Sequence, residues 1–156
     1  MVTFRIISVG KTPKDWRNEA FQHYQKLISP FARIEEAFVK EQKVSESSGV
    51  GIALMREADS LLKGLANGAH SIALDKSGKQ RSSVELARHL EGLFQRFSKY
   101  DLVIGGPHGL HESVLRTVDE TVSFSQLTFP HDLARILLVE QLYRAMSIIN
   151  NTPYHR

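Results

Sequence analysis

The sequence predicts an α/β domain, a mostly parallel sheet with helices on both faces, over residues 1–156. Short apolar runs rich in β-branched residues alternate along the chain with segments of helical periodicity. Glycine and polar turn residues mark most of the switches between them. Neither an internal repeat nor a linker interrupts the alternation, so one domain is expected. At 156 residues it is long enough to bury about 70% of its unfolded surface.

The elements follow in order. "VTFRIISVG" reads as a buried strand ending in glycine, and "DWRNEAFQHYQKLI" as a helix with Trp16, Ala20, Phe21, Tyr24, Leu27 and Ile28 on one stripe. "ARIEEAFVK" is a second strand, and the Ser-rich stretch 41–50 a loop. "IALMREADSLLKGLA" is a helix stopped by Asn67-Gly68. "HSIALD" is a strand, "KSGKQ" a turn, and "SSVELARHLEGLFQRF" a helix in which Ser82 and Glu85 have capping-box spacing. "DLVIGG" is expected as strand, "HESVLRTVDETV" as helix, "SFSQLTF" as strand, and Asp132 to about Asn150 as the last helix.

In such sheets ligands sit beyond the carboxyl ends of the strands. The loops expected there are Gly10 to Lys14, Lys76 to Arg81, Gly105 to Gly109, and Phe129-Pro130-His131. They gather lysine, glycine and histidine on one edge, concentrating a net charge of only +3. That edge reads equally as a footprint for a polyanion or as ordinary polar connections. The chain has no cysteine, which removes disulfides and thiolate metal sites. "MVTFRIISVG" lacks the order of regions found in a signal peptide, and apolar runs such as Ile136 to Val139 fall far short of the ~20 residues of a membrane helix. A cytoplasmic protein without membrane contact is expected.

Several chemistries lack their motifs. "VIGGPHGL" puts glycines after a buried strand, where a ligand can approach the backbone, but Pro107 stands where a dinucleotide fingerprint needs glycine. "LDKSGKQRSS" has Ala73 before it and Gln80 within it where a phosphate loop needs glycine and a hydroxyl. His108, His111 and Glu112 have no third ligand at metal spacing and read as solvated loop residues, so no metal is expected. A hydrolase elbow is missing, and Ser125, His131 and Asp132 are too close in sequence for a triad.

The last helix is apolar nearly all round through Leu133, Ile136, Leu137, Val139, Leu142, Met146 and Ile149. It belongs either at the centre of the domain or at a subunit interface. Arg135 and Arg144 interrupt it and call for a carboxylate such as Glu140, or for a ligand anion. The chain then ends "NNTPYHR", an aromatic ring, an imidazole and a guanidinium after a helix breaker.

"SVGK", "LDKSGK", "VIGGPHGL", "SFSQLTFPH", "EQLYRA" and "PYHR" together resemble, in order and spacing over the whole chain, the RlmH family. These are pseudouridine N3-methyltransferases of 23S ribosomal RNA in the SPOUT superfamily. The resemblance implies a C-terminal trefoil knot, a homodimer, and S-adenosylmethionine as cofactor, held by Leu74, Gly105, Phe124, Ser125, Gln126, Leu127, Thr128 and Phe129. Composition alone would not have suggested a knot, a rarity among folds. Gly105 would admit the cofactor against bare backbone, residues 124–129 would read the adenine edge, and Leu74 would give apolar cover.

For methyl transfer to an imide nitrogen, His155 is the candidate for the proton, Arg144 and Arg156 for electrostatic stabilisation, and Tyr154 for stacking on a base. The residues leave open a related enzyme acting on tRNA or another rRNA nucleotide, and a ribosome-binding protein without activity.

Overall fold

The computed structural model describes residues 1–155; Arg156 lies outside the described residues. Ten elements follow one another: β1 (Val2–Val9), α1 (Trp16–Ile28), β2 (Ala32–Val39), α2 (Gly49–Gly64), β3 (His70–Gln80), α3 (Ser83–Phe94), β4 (Lys99–Ile104), α4 (Glu112–Thr117), β5 (Glu120–Ser123) and α5 (His131–Ile149). The five strands form one sheet in the order β2-β1-β4-β3-β5, with every pairing parallel.

The central strands carry almost continuous apolar runs because both of their faces are covered. Phe4, Ile6, Leu102 and Ile104 pack with α1, α3 and α5 on one face. Ile7, Val9, Ala73 and Val103 face α2 and α4 on the other. Arg5, the charge inside the first strand, is neutralised rather than exposed: its Nε and Nη2 each donate to Asp101 at 2.8 Å, and Nη2 also reaches the Gly64 carbonyl at 2.7 Å. Asp101 in turn accepts from the Ala66 amide at 2.6 Å, tying the end of α2 to β4.

The helix ends follow their local chemistry. Ser82 accepts from the Glu85 amide while Glu85 accepts from the Ser82 amide, so the expected capping box is present. Asp15 caps α1 through the Arg17 amide. No residue of α5 is exposed, and the helix lies between α1 and α3 over the sheet, one of the two positions its composition left open.

The helix α2 starts at Gly49, inside the stretch expected as loop, and three further segments differ more from the sequence reading. "SFSQLTF" is not a strand: β5 ends at Ser123, whose hydroxyl donates to the Ser125 carbonyl at 2.9 Å. The Ser125 hydroxyl then accepts from the Leu127 amide at 3.0 Å, so serines that satisfy local backbone groups turn the chain out of the ladder. The helix expected through Val122 stops at Thr117, because Asp119 and Ser71 clamp the chain to β3 through the Asp119 amide and carboxylate. "KSGKQ" is strand, not turn: β3 runs through it to Gln80, although its pairing with β5 breaks after Leu74 and resumes at Lys79 and Gln80. A Cβ at Gly78 would lie 2.6 Å from the Val122 carbonyl carbon, so only glycine lets the two backbones cross there.

Candidate active site

The carboxyl ends of β3, β4 and β5 open into a cavity of about 520 Å³. Leu74, Asp75 and Lys76, where β3 breaks its pairing with β5, form one wall, and Ile104 leads into the loop Gly105 to Leu110 on the next. Ser123, Phe124 and Ser125 with Leu127, Thr128 and Phe129 supply the third. Leu115 of α4 and His131 and Ala134 at the start of α5 complete the lining.

Of the eight residues the resemblance put against a cofactor, Leu74, Gly105, Phe124, Ser125, Leu127, Thr128 and Phe129 line this cavity. Gln126 is exposed and outside the lining. The structure gives a reason of its own for glycine at 105. A Cβ there would lie 2.5 Å from the Gly109 carbonyl oxygen, so the side chain is excluded by the loop's own closure. That closure is a tight turn, with the Gly109 amide donating to Gly106 at 3.0 Å and Gly109 at φ 79°. Asp75 is the wall residue that motif reasoning passed over; its Oδ2 accepts from the Ser77 amide at 2.9 Å and hydroxyl at 2.5 Å.

The histidines divide by role. His108 and His131 line the cavity, whereas Nδ1 of His111 caps α4 by accepting from the Ser113 amide at 3.1 Å. Among the described residues no group of three or more His, Asp or Glu is placed to hold a metal ion.

The tail forms a second cluster. Tyr154 donates from its hydroxyl to Oε1 of Glu140 at 3.0 Å, and the same carboxylate pairs with Arg144 one helical turn along. The Arg144 guanidinium lies over the Tyr154 ring at 4.7 Å, and Tyr143 packs against that ring at 4.4 Å. Nδ1 of His155 comes within 3.4 Å of Arg144, and the His155 side chain is exposed. Hydrogen bonding to Glu140 holds Arg144 above the usual guanidinium value. Burial, reinforced by the bond to Glu140, pushes the Tyr154 phenol above its usual value, so it stays a donor at neutral pH. Arg135 finds its carboxylate in Glu36 rather than Glu140, stacks on Phe21 and Phe38, and is pulled down to about 10 by burial.

Within one chain these clusters stand apart. From Ala134 on the cavity wall to Glu140 beneath Tyr154, α5 advances about 9 Å at about 1.5 Å per residue, and Arg144 lies about 6 Å further on.

A doubly covered parallel sheet with a cavity over its strand ends fits the family that the chain matches. The chain belongs to the SPOUT methyltransferase family, whose model, described as "Predicted SPOUT methyltransferase", matches residues 2–155; it is a methyltransferase using a methyl-donor cofactor. Its curated relatives include proteins named "Ribosomal RNA large subunit methyltransferase H". The one from Legionella pneumophila strain Paris is 40% identical over 156 residues, covering 100% of both chains. The one from Exiguobacterium sp. is 39% identical over 155 residues, covering 97% of this chain and 98% of the other. A solved structure of a probable methylase family protein from Haemophilus influenzae Rd KW20 superposes with a TM-score of 0.57 at 14% identity, over 98% of this chain and 70% of that one. At that identity the likeness speaks for the fold.

Proposed function

We propose that the protein is a cytoplasmic homodimer that methylates N3 of a pseudouridine in 23S ribosomal RNA on the ribosome, using S-adenosylmethionine. The observation that carries this reading is the cavity: seven residues named from the resemblance meet on its walls, in a chain similar over its full length to proteins named as large-subunit rRNA methyltransferases.

The walls fit a nucleoside joined to an amino acid. The volume of about 520 Å³ is in the ordinary range for a ligand site. Leu74, Ile104, Leu115, Phe124 and Phe129 offer apolar cover for a purine, and the turns at 105–109 and 123–127 bring backbone groups to its edge. Asp75 sets a carboxylate on the wall for hydroxyl or ammonium groups. When bound, S-adenosylmethionine supplies a methyl group on a sulfonium, open to in-line attack. The chain's own task is to hold the target nitrogen in line and exclude water.

N3 of pseudouridine attacks well only without its proton. His155 is the group in the tail able to take that proton, and the fixed charges of Arg144 and Arg156 would favour the anion left behind. The contacts of Tyr154 with Glu140, Arg144 and Tyr143 favour an anchoring role for it over base stacking. Since α5 separates tail from cavity in one chain, the tail of one subunit is proposed to close the cavity of the other. The trefoil knot belongs to the same reading, and the close crossing of backbones at Gly78 and Val122 suits a threaded chain.

The test is to incubate the protein and labelled S-adenosylmethionine with intact ribosomes, free subunits and naked rRNA, then map the product nucleoside by mass spectrometry. A single methylated pseudouridine in 23S rRNA is expected. Label on tRNA would keep the family and discard the substrate; label on no RNA would discard the proposal.

A further inference from the structure

The chain has a single tryptophan, Trp16, and it is not in the core: it opens α1 with 59% of its surface exposed. A ring that large on the surface forgoes a substantial hydrophobic gain, which is most easily understood if something covers it in function. Its surroundings indicate what. Lys11 and Lys14, in the loop that brings β1 to α1, are both exposed and neither is ion-paired among the described residues. The neighbouring cation, Arg17, is held by carboxylates, donating to Asp15 and, at 2.9 Å, to Asp132, with its guanidinium 6.0 Å from the centre of the Trp16 ring.

The same contacts fix where the platform lies relative to the cavity. Asp132 faces His131, a cavity-wall residue, at 3.4 Å, so a continuous polar chain runs from the base of the tryptophan to the wall. On the other side Val9, at the end of β1, is so close to the glycine loop that a Cβ on Gly106 would lie 3.0 Å from its Cγ1. The loop carrying the lysines and the loop lining the cavity are therefore neighbours on one sheet edge, with β1 and β4 paired beneath them at Ser8 and Ile104.

We propose that Trp16, with Lys11 and Lys14, is a stacking platform for an unpaired nucleotide of the RNA strand that enters the cavity. An indole face accepts any base by stacking, and two lysines at the entrance to the helix suit the flanking phosphates. This rests on the RNA-methyltransferase reading but adds a contact that the cavity and tail do not supply. It assigns the platform to RNA rather than to a second copy of the chain, because the loop that leads into Trp16 carries two exposed lysines with no ion-pair partner among the described residues.

Because Trp16 is the only tryptophan, intrinsic emission reports on it alone. The full-length protein is titrated with an end-labelled single-stranded RNA of about twelve nucleotides, following anisotropy and tryptophan emission together. The platform predicts quenching that tracks binding and fades as salt rises. Trp16→Ala should weaken binding about 10-fold. Lys11→Glu with Lys14→Glu should weaken it at least as much and lower the salt slope by about 1.4. Unchanged emission at saturating RNA, or full affinity in Trp16→Ala, overturns the platform. So does a ring already shielded from acrylamide in the free protein together with dissociation of Trp16→Ala into monomers, since a second copy would then be its cover. Methylation of ribosomes is measured alongside: transfer without quenching removes only the platform, whereas quenching without transfer to any rRNA removes the methylation reading and leaves Trp16 as an RNA contact.

Discussion

Asn151 stands at φ 54°, a positive value not shared by any other described residue except glycines. Its amide donates to Ile148 at 3.1 Å and the Thr152 amide donates to Ser147 at 2.9 Å, the paired bonds of a left-handed cap that turns the chain back on α5. The buried Ser147 hydroxyl fixes the turn from inside through Thr152 at 2.7 Å. This is what aims Tyr154 at Glu140 and His155 toward Arg144. Asparagine tolerates the conformation and glycine adopts it freely, whereas a β-branched residue there costs about 1–2 kcal/mol. Asn151→Gly should therefore keep methyl transfer, while Asn151→Val should lose most of it with cofactor affinity intact, read by transfer to ribosomes beside calorimetric cofactor binding. At the next level of chemistry, His155→Ala should cut transfer by about 10²–10⁴ if the imidazole takes the proton. Single-turnover transfer rates check this, and an undiminished rate would remove His155 from that role. The residue types "NNTPYHR" were readable in sequence; the dihedral that aims them was not, because Asn-Asn before proline is equally a frayed end.

Among the elements, β5 shows what local pattern misses. It is four residues long at the edge of the sheet, and what fixes it is a charged cluster on its first residue. Glu120 receives His70 at 2.8 Å and His89 at 2.8 Å, with Arg81 at 3.6 Å, so β3, α3 and β5 meet on one carboxylate. Its neighbour Asp119 holds Ser71 and lies 3.7 Å from His70. No sequence spacing signals this, since the partners are 31 to 50 residues away. The apolar-and-serine pattern of "SFSQLTF" looked more strand-like than "ETVS", and hydroxyl-to-backbone bonds decided otherwise. Burial alone would raise the Glu120 carboxyl, but hydrogen bonds from His89 and His70 and their charge outweigh it, and the group titrates below its ordinary 4.5. A depressed carboxylate contributes stability that is complete above its unfolded value and is lost as pH falls through the folded one. Thermal midpoints should accordingly drop as pH goes from about 5 toward 3. Glu120→Gln should flatten that drop and cost on the order of 1–3 kcal/mol at neutral pH, measured by denaturant melts across the range. An unaltered pH slope in the variant would show that other carboxylates, Asp119 first, carry the acid lability.

At the scale of the molecule, alternation of strands and helices, the doubly buried central strands and the loops on one edge were all legible, because each follows from local periodicity. Strand order was not, nor was the separation of the two candidate clusters, since both depend on how α5 crosses the sheet. That separation bears on how a working site is assembled: about 9 Å of helix lies between Ala134 on the cavity wall and Glu140 under the tail, and in the proposed dimer the tail acts at the other subunit's cavity. Two defective proteins make the arrangement measurable. Ala134→Trp places an indole in the cavity and leaves the tail whole, while His155→Ala leaves the cavity whole. Each alone should be nearly inactive. Mixed, unfolded and refolded together at equal amounts, they should pair at random, so half of the dimers are mixed, and each mixed dimer has one site built from an intact cavity and an intact partner tail. Activity should return to about a quarter of wild type per subunit, by the statistics of a two-fold dimer. A tail that served its own cavity would leave every site with a lesion, and the mixture would stay as inactive as its parts.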